Sequence, residues 1–316
     1  MDKKVYAFKN SGILDSSSGG AFPSLEEVLR DGHDKLIVYG AAFDSKMKVR
    51  HLRAENKEDT IKFRGSKYIE SNISGINRKI EEDLKDENRT VLFTGTPCQV
   101  AGIKSYLKSR NIPLSNLYFI DILCHGTPSP RYWENYKSWL EKKHQLKLIS
   151  YSFRDNGKIS LNAEFEDGTK LNNTADLRLF FELFNSPKML QERCFKCPFV
   201  CMKSKSDITI GDFWGIDKVL PDFPFKEGVS LIISNNEKGM MLVNKLKKQS
   251  SMNKYIYLED CNNTEYLKYN PPLTHATYRT VKTDKFKKNE KKGWNYLYLR
   301  FLIRNLLVII KRKIIH

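Results

Sequence analysis

Three cysteines fall within eight residues in the stretch RCFKCPFVC, and the acidic, aromatic run SDITIGDFWG follows almost at once. Two further cysteines close turns: Cys98 comes directly after TGTP, and Cys124 ends the apolar run FIDIL. Four soft donors drawn from separated loops onto one centre are what an iron–sulfur cluster or a structural zinc requires. Cys194-x2-Cys197, followed by Pro198, supplies a local pair, and Cys98 and Cys124 bring the set to four. Cys201 is a substitute candidate for Cys98 or Cys124, and two buried, inert cysteines are the plainer reading of the local pair. Cys261, in the polar stretch DCNNT, reads as a free thiol. His51 and His125 read as ordinary polar residues, with His125 placed to tune Cys124.

The elements that must position these thiols follow from the hydrophobic pattern. LIVYGAAF (Leu36–Phe43) is a buried strand, and Leu25–Arg30 carries a helical pattern after SSSGGAF. Ile61–Ser71 reads as a loop passing into a helix that continues to about Asn88. RTVLFTGTPCQVAGIKSYL (Arg89–Leu107) is strand, glycine turn and helix; LYFIDILCHG (Leu117–Gly126) is a strand ending in a turn. The succession predicts an α/β fold with α+β elements: a mixed sheet, flanking helices and functional loops at strand ends. Each of Cys98 and Cys124 then sits at a strand's carboxyl end. Leu148–Lys170 alternates as an antiparallel hairpin turning at Asp167-Gly168. The regions divide as 1–88, 89–281 and 282–316.

Composition bounds the class. The 316 residues are 40% apolar and 29% charged, an ordinary globular balance. With no apolar leader and no run of about 18 uncharged apolar residues, a cytoplasmic body is expected. Six cysteines there point to metal or redox duty rather than disulfides. The net charge of +17 is concentrated at one end: from Lys282 to His316 there are eleven Lys/Arg against two acids. A nucleic-acid partner is therefore not indicated for the body. The last stretch interleaves aromatic and branched residues with Arg300, Arg304, Lys311, Arg312 and Lys313. It reads either as a basic helix packed on the body or as peripheral contact with the inner face of the cell membrane. No Ser-His-Asp set, Walker loop or paired carboxylates suggests hydrolysis or phosphoryl transfer.

The blocks SSSGG, VYGAAFD, RGSKYIES, FTGTPCQVAGIKSYL, DILCHGTPSP, RCFKCPF and SDITIGDFWGI, in this order over about Val5 to Val243, resemble the coenzyme F420 hydrogenase/dehydrogenase beta-subunit family. The resemblance implies an oxidoreductase that binds FAD beside a [4Fe–4S] cluster and exchanges hydride with a small molecule. In well-understood relatives that molecule is the deazaflavin coenzyme; short bacterial forms are associated with envelope polysaccharide synthesis. Many relatives begin with a ferredoxin module that this chain lacks, so electrons are expected from a separate electron-transfer protein or from the substrate.

On that reading, Ser18, Gly19 and Gly20 and the turn Gly95, Thr96, Pro97 let the backbone approach a dinucleotide, although neither is a Rossmann fingerprint. Arg64 and Lys67 offer cations to phosphate, and Ser66 and Tyr68 bond to or stack on the cofactor. Asp207 and Asp212 are expected to fix the loop around the cluster while Phe213 and Trp214 exclude water; an edge strand with Trp214 as core filling is the alternative. The competing class is a zinc-stapled, membrane-peripheral interaction protein without enzymatic activity.

Overall fold

A computed structural model describes residues 3–13, 15–33, 35–155, 157–224 and 228–315, with side chains as far as Lys311. Arg312 and Lys313 thus lie outside the described side chains. Eleven strands form two sheets among the described residues. The larger takes β1 (Lys4–Asn10), β2 (Leu36–Phe43), β3 (Val49–Ala54), β4 (Thr90–Gly95), β5 (Leu117–Ile122), β9 (Ile208–Asp212), β10 (Ser230–Ser234) and β11 (Ile256–Asp260). Its order is β11-β1-β10-β9-β5-β4-β2-β3. The smaller holds β6 (Leu148–Asp155), β7 (Lys158–Phe165) and β8 (Lys170–Asn172).

The middle of the large sheet is parallel: β2 pairs with β4, β4 with β5, and β5 with β9. All four carboxyl ends therefore open on one edge. These strands are apolar runs because helices cover both faces. On one face lie α1 (Ala21–Arg30) and α8 (Glu237–Met252), through Leu25, Leu29, Leu242 and Val243. On the other lie α3 (Ile76–Asp83) and α4 (Pro97–Ser109), through Ile76, Ile80, Val100 and Ile103. The short helices α2 (Lys57–Thr60), α7 (Ile216–Val219) and α9 (Tyr266–Tyr269) fill corners. A second core is built by the small sheet with α5 (Pro130–His144), α6 (Ala175–Asn185), α10 (Val281–Glu290) and α11 (Trp294–Ile315), around Trp133, Tyr136, Phe153 and Phe180.

Three expectations are corrected. The helix expected after the Ile61–Ser71 loop and reaching about Asn88 is only α3, Ile76–Asp83; the irregular stretch runs on to Gly75, which adopts left-handed backbone, and Asn72 bridges to Arg50 instead. The expected hairpin is a three-stranded sheet: β6 and β7 turn at Gly157, and Asp167-Gly168 joins β7 to β8. SDITIGDFWG is no edge, since β9 lies between β5 and β10.

Candidate functional site

Two adjoining cavities sit at the carboxyl ends of the parallel strands. The smaller, about 130 Å³, is lined by Cys98, Cys124, Cys194 and Cys197 together with apolar residues such as Leu123, Phe199 and Ile233. The local sequence explains how these thiols meet. Thr96 caps α4 in a capping box with Gln99, and Pro97 opens the helix, so Cys98 falls in its first turn. The backbone pairing of β5 with β9 continues past the strand through Leu123 N to Ile210 O (2.7 Å), delivering Cys124. Gly126 has φ 120°, and a Cβ there would come within 2.7 Å of Leu190 and 3.1 Å of Cys194. Only glycine lets the segment carrying Cys194 approach; Gln191 N then bonds Thr127 O at 3.1 Å.

Burial, and next the nearby thiols of Cys98, Cys194 and Cys197, push the Cys124 thiol up to about 12. Cys194 is raised as well, again chiefly by burial. Cys201 does not line the cavity. It has left-handed backbone, is exposed, and turns its sulfur to Thr274 O at 2.7 Å. Cys261 is buried in a separate apolar cluster. Among the described residues, no three His, Cys, Asp or Glu side chains are grouped closely enough to hold a metal ion as they stand.

The larger cavity, about 510 Å³, is lined by Ser18, Arg64, Ser66, Lys67, Tyr68, Gly95 and Thr96 from the expected set. Gly19, Gly20 and Pro97 do not line it. A Cβ on Gly19 would lie 2.2 Å from Phe8 O, so that glycine serves the packing of its loop on β1. Pro97 lines the thiol cavity. The two cavities share Thr96, Ile122, Leu123, His125 and Pro272 as a common wall.

The electrostatics of the larger cavity are cationic. The Nε of Arg64 is buried with no hydrogen-bond partner. Lys67 folds its ammonium onto the carbonyls of Lys62 (2.7 Å) and Arg64 (2.6 Å), and loss of water lowers its pKa to about 7. Ser66 N bonds Ser17 Oγ at 2.6 Å, tying the two cavity loops together. Thr96 N–H is already taken by Gln99 Oε1 (3.0 Å), so the TGTP turn does not offer that amide. At the opposite wall α1 starts without a side-chain cap, and its Ala21 and Phe22 line the cavity.

Sequence reasoning missed Arg154. From the end of β6 it reaches Asp212 Oδ2 (3.0 Å), Ser17 O (2.6 Å), Gly157 O (2.9 Å) and Tyr68 OH (3.3 Å), clipping the small sheet to the cavity floor. Asp212 is therefore the partner of Arg154 beside the larger cavity. Asp207 lines neither cavity: it accepts Phe119 N (2.7 Å) and Asn236 Nδ2 (2.8 Å), joining β5 to the cap of α8. Phe213 is buried in the core, whereas Trp214 is 47% exposed at the rim of the larger cavity, too open for core filling.

The His51–Ser71–Gln99 network was also missed, although the T-x-x-Q capping pattern was legible. Burial lowers the His51 pKa to about 4, so the neutral ring donates from Nε2 to Thr94 O (2.7 Å) and accepts Ser71 Oγ–H at Nδ1 (2.8 Å). Gln99 donates to Ser71 O and Oγ, both at 3.0 Å. The turn between the two cavities is thus held by a closed set of hydrogen bonds.

Two adjoining strand-end cavities on a mixed α/β sheet, one lined by thiols and one by cations, are the geometry against which relatives can be compared. The family model for the C terminus of the coenzyme F420 hydrogenase/dehydrogenase beta subunit matches residues 88–260, and the chain belongs to that family. Its fold is similar to a chain in the xenon-derivatised F420-reducing [NiFe] hydrogenase complex from Methanosarcina barkeri. The two are 16% identical, with a TM-score of 0.52 over 91% of each chain. No curated protein sequence matches.

Proposed function

We propose that this protein is a flavin- and iron–sulfur-dependent oxidoreductase acting with a hydride-exchanging small molecule, either a deazaflavin coenzyme or an envelope-polysaccharide precursor. The observation that carries the reading is four thiols around one cavity that shares a wall with a second, cationic one. Cys98, Cys124, Cys194 and Cys197 would hold a [4Fe–4S] cluster. A zinc-stapled scaffold would use the same four thiols, and the metal content of the purified protein separates the two readings. FAD would take the larger cavity, whose volume falls in the usual ligand range of roughly 300–1,000 Å³.

Bound there, flavin and cluster supply the hydride and single-electron chemistry. The chain's own residues bind and orient. Arg64 and Lys67 meet the pyrophosphate, Ser18 and Ser66 offer hydrogen bonds, and Tyr68, stacked on Phe184 at 4.5 Å, forms an aromatic wall. Apolar Leu123, Ile122 and Pro272 make the partition between the two cavities nonpolar. Cys98 is exposed, so a separate electron-transfer protein would dock on that side. Anaerobic purification with flavin, iron, sulfide and zinc analysis tests this. FAD with matching iron and acid-labile sulfide is expected; a colourless, zinc-containing protein would sink the proposal.

A further inference from the structure

Helix α11 has two apolar faces, and only one of them is covered. Trp294, Leu297 and Phe301 turn into the second core. Leu299, Leu302, Ile303, Leu306, Leu307 and Ile310 follow the i, i+3, i+4, i+7, i+8, i+11 spacing of one helical face. All six are exposed, from 38% at Leu302 to 57% at Leu306. At 1.5 Å per residue the stripe is roughly 17 Å long. Beyond Asn305 every described side chain of the helix is exposed. An ordinary surface helix has charge on that side.

Cations flank the stripe. Arg300, Arg304 and Lys311 run along one edge at i, i+4 and i+11. Arg300 and Arg304 also border a groove of about 270 Å³ between α6, α10 and α11, whose floor includes Leu183, Phe286 and Phe301. Lys188, Lys282 and Lys285 complete its rim. Glu182, the carboxylate in that lining, is paired with Arg304. Among the described residues, Lys188, Lys282 and Lys285 have no ion pair with an acid. Burial first, then Arg304 and Lys282, hold the Lys188 ammonium below its ordinary pKa.

We propose that this face of the protein lies in the surface of an anionic phospholipid membrane, with the α11 stripe among the acyl chains and a lipid phosphate at the groove rim. Independent of the redox reading, it rests on charge complementarity beside an apolar surface. A phospholipid layer presents phosphate and hydrocarbon in that order over a short depth, and interfacial helices sink about 5–10 Å. No helix among the described residues is long and apolar enough to cross a membrane, which leaves an in-plane arrangement for this one. A second copy is a poorer occupant, because pairing two stripes would bring the flanking cations of both chains together.

The test uses the full chain and sedimentation with phosphatidylcholine vesicles, with and without phosphatidylglycerol. Binding to the anionic vesicles alone is expected, weakened by salt. The triple variant Ile303→Asn, Leu306→Asn, Ile310→Asn should keep the wild-type melting temperature and bind at least tenfold more weakly. Lys282→Glu with Lys285→Glu, which leaves the stripe intact, should also lose about tenfold in affinity for anionic vesicles. Wild-type protein that stays in the supernatant with both vesicle types overturns the proposal. So does unchanged binding by the charge-reversed pair. A vesicle-free dimer that the triple variant converts to monomer would instead assign the stripe to a second copy.

Discussion

A thiol binds metal only as the thiolate, so each ligating cysteine has to give up its proton. Cys124 and Cys194 are held protonated by burial, so a ligating metal has to displace their protons. Replacing any one of Cys98, Cys124, Cys194 or Cys197 by Ser should sharply lower bound iron after reconstitution. Cys201→Ser and Cys261→Ser should leave it unchanged, because those sulfurs face Thr274 O and an apolar cluster. Iron retained in Cys98→Ser but lost in Cys201→Ser would reverse the ligand assignment. For the flavin, each charge-assisted bond contributes about 1.5–3 kcal/mol, so Arg64→Ala with Lys67→Ala should weaken FAD at least tenfold by titration. The pH dependence has a definite sign. The Lys67 pKa, lowered to about 7, leaves the ammonium charged below that pH and neutral above it. A bound pyrophosphate holds the proton, so FAD affinity should fall as pH rises through 7, and Lys67→Ala should flatten that slope. The cysteines were legible because few residue types do their chemistry. Arg154 was not, because its partners Asp212, Ser17 and Tyr68 come from three distant segments that only the fold brings together.

Elements were legible where period and punctuation agree. β2, β4 and β5 are apolar runs, and Thr96-Pro97 starts α4 as its capping residues require. The loop over Ile61–Ser71 was legible, but the helix after it was read too long at both ends, because Gly75 adopts left-handed backbone and Asn72 bridges to β3. The small sheet's attachment depends on Arg154, whose guanidinium and Asp212 form a mostly buried pair. Arg154→Met strands that carboxylate. It should destabilise the protein by about 3–5 kcal/mol, read as a lower midpoint in denaturant unfolding, and weaken FAD binding through the displaced Ser17 loop. The tail also divides at a definite place. Ending the chain after Asn305 removes, among the described residues, only exposed side chains, so flavin and iron content should match the full chain. Ending it before Trp294 removes Leu297 and Phe301 from the second core and should give aggregated protein on gel filtration.

At the scale of the molecule, the edge that carries both cavities is assembled from segments far apart in the chain. β5 and β9 are neighbours, yet everything from Leu123 to Asp207 lies between them, including the small sheet and Cys194 and Cys197. Sequence reading could place thiols at strand ends without seeing which strands adjoin, since parallel neighbours leave no local trace. The regions 1–88 and 89–281 both contribute strands to the large sheet. Residues 88–260 alone would expose the β4 edge that β2 covers and the β10 edge that β1 covers.

The position of β1 carries one more consequence, for how the protein is made. Among the described residues its partners in the sheet are β10 and β11, which come far later in the chain. Until those strands are made, Val5, Tyr6, Ala7 and Phe8, all buried in the finished molecule, have no sheet partner. Joining of β1 to the rest of the sheet, which supports the strand-end cavities, waits for the arrival of Ser230–Ser234, and the sheet is complete only with Ile256–Asp260.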